Sequence, residues 1–262
     1  MTYQAAAFSR QKQLVGAAAM ERLASARVLL CGLGGVGSWA AEALTRAALG
    51  HLTLVDHDCI QPSNLNRQLH SLHSTLGRSK VACMRERLLD ISPEAKIEAL
   101  QLRLSPANCR QLLESQPWDY VIDAIDERQA KLALLQNCLK MRLPLLSSMG
   151  SANKLHAEQI KIGDISQTRG CPMAKLLRKN LRKAGFDCAL TVIYSEELPL
   201  LPQTETGKAE APGEKRPLGT ISYMPALFGL KAAAYVLEKL LDSESYPRRG
   251  MDTKKSPASE KT

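Results

Sequence analysis

The sequence has 262 residues, 45% of them hydrophobic and 23% charged, which excludes disorder of the whole chain and indicates one large domain with at most a small addition. Lysine and arginine (35) outnumber aspartate and glutamate (26), and the net charge of +9 suits a polyanionic partner such as nucleic acid. The longest apolar stretch, 221–241, is interrupted by charged residues, and the first residues lack the pattern of a signal peptide. We therefore expect no membrane insertion.

Up to residue 150, short apolar runs typical of strands alternate with segments of helical periodicity. This alternation predicts an α/β fold, a Rossmann-like and mostly parallel sheet with helices on both faces. The predicted strands are 27–31, 51–56, 96–104, 118–124 and 143–147, and the predicted helices are 38–48, 77–91, a helix that begins at Pro106, and 129–141.

The pattern changes after residue 150 and predicts a smaller, substrate-facing C-terminal part over 151–250. An alternating strand is predicted at 159–163, a basic helix at 172–183, and a further strand at 189–194. The segment 199–217 is rich in proline, glycine and charged residues, which predicts a mobile loop, and 251–262 has the polarity of a disordered tail. The apolar stretch 221–241 is predicted to be a packed amphipathic helix, in the core or at a dimer surface.

A glycine-rich turn joins the first predicted strand to the first predicted helix. Gly32, Gly34, Gly35 and Gly37 let the backbone approach a phosphate closely, and the helix that follows directs its free N–H groups at that phosphate. Asp56 ends the next predicted strand, where a carboxylate can accept hydrogen bonds from ribose hydroxyls. The combination predicts a nucleotide site, but it does not distinguish NAD from ATP.

Residues further along favour a triphosphate. Asn64, Arg67, Gln68 and Lys80 add cationic and amide groups that a hydride-transfer cofactor does not need, and that can stabilise charge on an α-phosphate under attack and on departing pyrophosphate. Asp126, after the predicted strand 118–124, can hold a hydrated magnesium ion. Each residue alone also has a structural interpretation, for example Asn64 as a turn former or Asp126 as a helix cap.

Taken in order, Gly-x-Gly-Gly-x-Gly-Ser, Asp-x-Asp followed by Asn-x-x-Arg-Gln, Gly-x-x-Lys and Asp-x-x-Asp resemble the adenylating superfamily that includes the ubiquitin-activating enzymes and the activators of bacterial sulfur carriers. The likeness implies an ATP-binding adenylation core over 1–150, with Arg67, Lys80 and Asp126 in catalytic roles. Arg10 stands where that superfamily has an arginine that reaches the ATP phosphates of the partner subunit. Its presence implies ATP contact in a homodimer.

Motifs in both halves, among them 120–126, 165–168, 172–178, 194–196 and 218–225, resemble the tRNA threonylcarbamoyladenosine dehydratases. The resemblance implies a ligase-type cyclase that uses ATP and Mg²⁺: the carboxylate of the threonylcarbamoyl group is adenylated, and the adjoining urea-like group closes onto it and expels AMP. It also implies tRNA as substrate and a sulfur-transfer (cysteine desulfurase) system protein as a partner. The segment Arg169-Gly-Cys-Pro172 departs from the Asp-Pro of relatives, which leaves the substrate contacts there open.

The predicted helix 172–183 carries five basic residues at spacings of three and four, so their heads share one face. A solvated surface helix would show the same pattern. The net charge and the resemblance favour contact with tRNA phosphates. The residues assigned to this contact are Lys175, Arg178, Lys179, Arg182 and Lys183.

The seven cysteines lie singly, without C-x-x-C spacing, which predicts reduced thiols in a cytoplasm. A thioester on Cys171 or Cys188 is the less favoured alternative, because ring closure on an acyl-adenylate needs no protein thiol. Three other functions stay open. They are adenylation of a ubiquitin-like sulfur carrier, against which the missing paired C-x-x-C motifs count, a nucleotide-gated scaffold without turnover, and a nicotinamide oxidoreductase.

Overall fold

A computed structural model describes residues 6–186, 190–201 and 218–241. Six strands run parallel in the sheet, and one strand, β6, is antiparallel to its neighbour β7. The strands are β1 (Arg27–Cys31), β2 (His51–Val55), β3 (Lys96–Leu100), β4 (Tyr120–Asp123), β5 (Leu145–Ser148), β6 (Ile160–Asp164) and β7 (Thr191–Ser195), in the order β3-β2-β1-β4-β5-β7-β6.

Helices cover both faces of this sheet, which confirms the predicted mostly parallel α/β fold. Short 3₁₀ turns at Pro62–Asn64, His73–Thr75, Ala157–Gln159 and Ile165–Gln167 lie in the connections. The helices are α1 (Ser9–Val15), α2 (Ala17–Ser25), α3 (Gly37–Arg46), α4 (Lys80–Ile91), α5 (Cys109–Glu114), α6 (Arg128–Met141), α7 (Pro172–Lys183) and α8 (Tyr223–Leu241).

The core has two layers because successive side chains of a strand point to opposite faces. In β1, Leu29 and Cys31 pack with α5, α6 and α7, whereas Val28 and Leu30 pack with α3, α4 and α8. Both faces of the central strands are therefore covered, which explains their continuous apolar sequences. The described helices include none with the length and apolarity needed to cross a membrane.

Several predicted boundaries were wrong for local reasons. The helix predicted to begin at residue 77 begins at Lys80, because Gly77 has a left-handed backbone (φ +79°) and residue 79 bridges to Cys59 in extended form. The strand predicted to end at 104 ends at Leu100. The helix predicted from Pro106 begins at residue 109, after a turn that the Asn108 side chain closes by accepting from the Ser105 N–H (2.8 Å).

Both sides of residue 150 contribute to the same sheet. β7 pairs with β5, and β6 pairs with β7, so the strands after residue 150 extend the sheet that β1 to β5 form. The helix predicted at 221–241 is α8, and its packing is close: a Cβ on Gly229 would meet the Val36 carbonyl oxygen at 2.3 Å. The division at 150 stays a prediction about function. Most of the predicted loop (residues 202–217), Cys188 and the predicted tail 251–262 lie outside the described residues.

Candidate nucleotide-binding site

A cavity of about 410 Å³ opens at the carboxyl edge of the sheet, where ligands bind in open α/β folds. Its walls come from the glycine turn after β1, the residues after β2, the residues 124–127 after β4 and the residues 148–152 after β5. Leu218 and Thr220, before α8, and Pro225, in its first turn, close one side. The predicted site residues Gly32, Gly34, Gly35, Asp56, Arg67, Gln68, Lys80 and Asp126 all line this cavity.

The glycines of the turn have different reasons to be glycine. Gly32 has φ +94°, and a Cβ there would lie 2.6 Å from the Ala124 carbonyl oxygen. A Cβ on Gly37, which begins α3 behind the cavity wall, would lie 1.8 Å from the Gly32 carbonyl oxygen. Gly34, in contrast, has no heavy atom within 4 Å of an added Cβ and faces the cavity. The fold therefore requires Gly32 and Gly37, whereas Gly34 leaves room for a ligand to approach the backbone.

Asp56 is fixed at the end of β2 by two backbone donors. Its Oδ2 accepts from the Leu33 N–H (2.6 Å), and its Oδ1 accepts from the Asp58 N–H (2.8 Å). The carboxylate is therefore locked against the glycine turn, where its remaining lone pairs can accept from ribose hydroxyls.

Lys80 begins α4 and reaches the cavity from a buried position, with its residue 4% exposed. Its Nζ lies 2.8 Å from Oδ2 of Asp58, and its backbone N–H donates to the Asp58 carbonyl (3.1 Å). Burial raises the pKa of Asp58, but the hydrogen bond and charge of Lys80 outweigh that effect and the pKa is lowered. The pair holds a cationic head at the cavity wall.

Hydrogen bonds hold both the backbone and the side chain of Arg67. The Trp39 indole N–H of α3 donates to the Arg67 carbonyl (3.2 Å), and the guanidinium donates to the Ser63 carbonyl (2.7 Å) and to Oδ1 of Asn66 (3.0 Å). A Cβ on Gly35 would meet Cγ of Arg67 at 3.3 Å. The arginine therefore packs directly on the glycine turn.

Asn64 and Gln68 differ in their relation to the cavity. Gln68 lines it, and its buried Oε1 has no hydrogen-bond partner in the part of the chain that the structure describes. Asn64 does not line the cavity: it is buried, and its Oδ1 accepts from the Gln61 N–H (3.0 Å). The structure thus gives Asn64 the turn-forming position, because its side-chain oxygen closes the 3₁₀ turn before Arg67.

Asp126 projects into the cavity from the loop after β4. It is exposed, and within the described residues its carboxylate has no hydrogen bond or ion pair. The neighbouring Glu127 is paired with Arg103 (3.2 Å). A free carboxylate in a cavity that Lys80 and Arg67 also line is a fitting oxygen ligand for a hard cation. Asp56 and Oδ2 of Asp58 are less available, because both Asp56 oxygens accept from backbone N–H groups and Oδ2 of Asp58 is paired with Lys80.

Apolar side chains form much of the remaining lining, which suits a flat base. The described cysteines do not line the cavity. Burial raises the pKa of the Cys109 thiol to about 11 and holds that of Cys31 well above its ordinary value, so these thiols are neutral. The apolar lining residues include Val55, Leu102, Leu104, Ile125, Ala130 and Met173.

The basic helix α7 meets the cavity at its first turn, through Met173. Four of the five predicted tRNA-contacting residues are exposed on it: Lys175, Lys179, Arg182 and Lys183. Arg178 turns inward instead, and its guanidinium donates to the Ile165 and Thr168 carbonyls (3.0 Å each) and to Oγ1 of Thr168. Arg10 is exposed on α1 and does not line this cavity.

Sequence reasoning missed two residues that shape the site. Asp58, the ion-pair partner of Lys80, could have been identified from the sequence, because it stands two positions after Asp56 in the Asp-x-Asp pattern. The sequence gives a weaker indication for Lys131, which is a lysine between apolar residues of α6. In the structure it is fully buried against Asp123.

The chain is similar in sequence to known proteins. The model of the ThiF family matches residues 8–257. The chain is 39% identical over 240 residues to the tRNA threonylcarbamoyladenosine dehydratase of Bacillus subtilis (strain 168), covering 89% of this chain and 94% of that protein. It is 34% identical over 254 residues to the same-named protein of Escherichia coli (strain K12), covering 89% and 93%.

Solved structures agree with the sequences. The crystal structure of the E. coli tRNA N6-threonylcarbamoyladenosine dehydratase in complex with ATP superposes with a TM-score of 0.83 at 30% identity, covering 94% of this chain and 98% of that chain. The complex of the same enzyme with AMP gives a TM-score of 0.84 at the same coverage. The fold, the cavity and the relatives together lead to one conclusion: the chain belongs to the ThiF family, in its group of tRNA threonylcarbamoyladenosine dehydratases.

Proposed function

We propose that this protein is an ATP-dependent, ligase-type enzyme that dehydrates threonylcarbamoyladenosine in tRNA to a cyclic form. The observation that carries the proposal is the cavity itself. Gly34 leaves its backbone open there, with Lys80, Arg67 and Asp56 around it, in the fold of a relative whose crystal structure contains ATP.

In the proposed reaction, the substrate carboxylate attacks the α-phosphate of ATP, pyrophosphate leaves, and the urea-like group closes onto the activated carbonyl with release of AMP. Lys80 and Arg67 stabilise the charge that develops on the phosphates, and Asp56 fixes the ribose. Ring closure within the substrate needs no protein thiol. The protein's task is then positioning and charge stabilisation.

Mg²⁺ is the proposed metal, and Asp126 is the residue proposed to hold it. The support is that its carboxylate faces the cavity without a partner among the described residues. A magnesium ion there would neutralise phosphate charge and would keep most of its water ligands.

The substrate tRNA is proposed to lie along α7, because its exposed basic face begins at the turn that lines the cavity. We further propose a homodimer in which Arg10, on the exposed helix α1, reaches the phosphates bound by the partner subunit. A sulfur-transfer system protein as partner and a cytoplasmic location rest on the family resemblance and the free cysteines.

The decisive experiment is mass spectrometry of nucleosides from threonylcarbamoylated tRNA incubated with the protein, ATP and Mg²⁺. We expect a nucleoside lighter by one water, formed with equimolar AMP, and neither product without ATP. An unchanged nucleoside together with pyrophosphate exchange on a carrier protein ending in Gly-Gly would keep the ATP site but refute the substrate.

A further inference from the structure

A buried ion pair lies directly beneath the loop that carries Asp126. The side chains of Asp123, at the end of β4, and Lys131, in α6, are both fully buried, and Nζ of Lys131 lies 2.7 Å from Oδ2 of Asp123. Neither side chain lines the cavity. Ser147 of β5 donates a further hydrogen bond to the same Oδ2 (2.6 Å).

Both partners of the pair also bind the backbone of the next loop. Oδ1 of Asp123 accepts from the Ile125 N–H (3.1 Å), and Nζ of Lys131 donates to the Ile125 carbonyl (3.1 Å). The pair therefore forms hydrogen bonds with the peptide groups on both sides of Ile125. Asp126 follows immediately and projects into the cavity.

Stability alone does not explain such a pair. A buried ion pair must offset the desolvation of two charges, and replacing it by apolar residues of similar volume is often neutral or stabilising. Its two hydrogen bonds to the Ile125 peptide groups fix the direction in which the backbone leaves β4. The opposite side of that backbone is also confined, since a Cβ on Gly32 would meet the Ala124 carbonyl at 2.6 Å.

We propose that Lys131 is a positioning residue: paired with Asp123, it holds the Ile125 peptide so that the Asp126 carboxylate faces the bound phosphates and their metal. The proposal rests on the proposed function in one respect, the assignment of Asp126 to Mg²⁺. Residues that orient a metal ligand typically change metal affinity about 10- to 100-fold when they are replaced.

The test compares a loop-releasing variant with a matched control. Lys131→Met combined with Asp123→Asn removes both charges together, so no buried charge is left unpaired, and it loses the bond to the Ile125 carbonyl. Lys131→Leu with Asp123→Asn serves if the first variant does not fold, since leucine also has no donor for the Ile125 carbonyl. Ser147→Ala is the control, because it removes a hydrogen bond from the same carboxylate without touching Ile125.

Two readouts separate positioning from general destabilisation. Hydrogen exchange of the peptide covering residues 124–127, without nucleotide, is expected to be at least about tenfold faster in the double variant and unchanged in Ser147→Ala. Calorimetry with ATP in Mg²⁺ and in EDTA is expected to show affinity for Mg·ATP lowered about 10- to 100-fold, with metal-free ATP little changed.

Unchanged exchange in the folded double variant, or equal acceleration in Ser147→Ala, would overturn the positioning role. An equal loss of affinity for both forms of ATP would do the same. If the wild-type protein binds Mg·ATP no more tightly than metal-free ATP, the metal assignment of the proposed function fails, whereas hydrogen exchange still decides whether Lys131 holds the loop.

Discussion

The cavity at the carboxyl edge and the basic face of α7 are both rich in charge, but they are built differently. Around the cavity, Lys80 is buried and paired with Asp58, and Asp56 is fixed by backbone donors. On α7, Lys179 and Lys183 are exposed and extend from a helix whose opposite face is buried through Ala174, Leu177 and Leu181.

The difference indicates two kinds of recognition. A charge that is fixed before the ligand arrives stabilises a transition state without reorganisation, so its loss affects the rate steeply. Mobile surface lysines contribute to binding by neutralising phosphates and releasing counterions, so their effects accumulate and weaken with salt. Variants in the two regions should therefore differ in kind as well as in size.

The largest effect is expected for Lys80→Ala and Asp126→Ala. Each should lower AMP formation on threonylcarbamoylated tRNA by roughly 10²- to 10³-fold, because a preorganised charge near the reacting phosphates is lost. The fold should persist, since Asp58 is half-exposed and the Asp126 carboxylate bonds to no other described residue. Lys140→Ala, at the exposed end of α6, is the control. Wild-type turnover in either cavity variant would refute the site.

Acid should lower the free energy of unfolding through His70, which is 3% exposed. Burial, with the nearby charge of Lys80, lowers its pKa to about 4 from 6.5. Between those pH values the unfolded chain binds a proton that the folded chain does not, so the free energy of unfolding falls as pH falls, by roughly 3 kcal/mol in total. Above 6.5 and below 4 this group contributes no slope.

Urea unfolding across this pH window measures the effect. His70→Gln should flatten the pH dependence, whereas the same substitution at the exposed His73 should leave it as in the wild type. Equal slopes in the wild type and in His70→Gln would show that the buried imidazole does not titrate this way.

An intermediate effect should separate two glycines of the same turn. Gly34→Ala places a methyl group in open cavity space, so the melting temperature should hold while ATP affinity drops on the order of tenfold, about 1.4 kcal/mol. Gly37→Ala forces a methyl group against the Gly32 carbonyl and should destabilise the fold by about 1–3 kcal/mol. Thermal melts and ATP calorimetry of both variants measure the contrast. Equal melting temperatures would contradict it.

Local spacing in the sequence was enough to predict much of this molecule. Contacts between segments that are distant in the sequence could not be predicted from it. The turn after β1 and Asp56 were predictable because a strand, glycines, a helix and an acid follow each other at short range. The inward turn of Arg178 and the burial of Lys131 were not, because a basic residue on a helix looks exposed in sequence. Their partners, the carbonyls of Ile165 and Thr168 and the carboxylate of Asp123, come from other elements.

The smallest effects per residue are expected on the basic face of α7. Lys179→Ala and Lys183→Ala should each weaken tRNA binding by less than tenfold, and should reduce the slope of log affinity against log salt by roughly 0.7–0.9 for each phosphate that the variant no longer neutralises. ATP affinity should not change, because neither side chain lines the cavity. Arg178→Ala is the contrast: it breaks the hydrogen bonds to the 165–168 turn, so it should lower the melting temperature and leave the salt slope unchanged. Filter binding of tRNA across a salt series measures both, and an unchanged slope in Lys179→Ala combined with Lys183→Ala would place the tRNA on another surface.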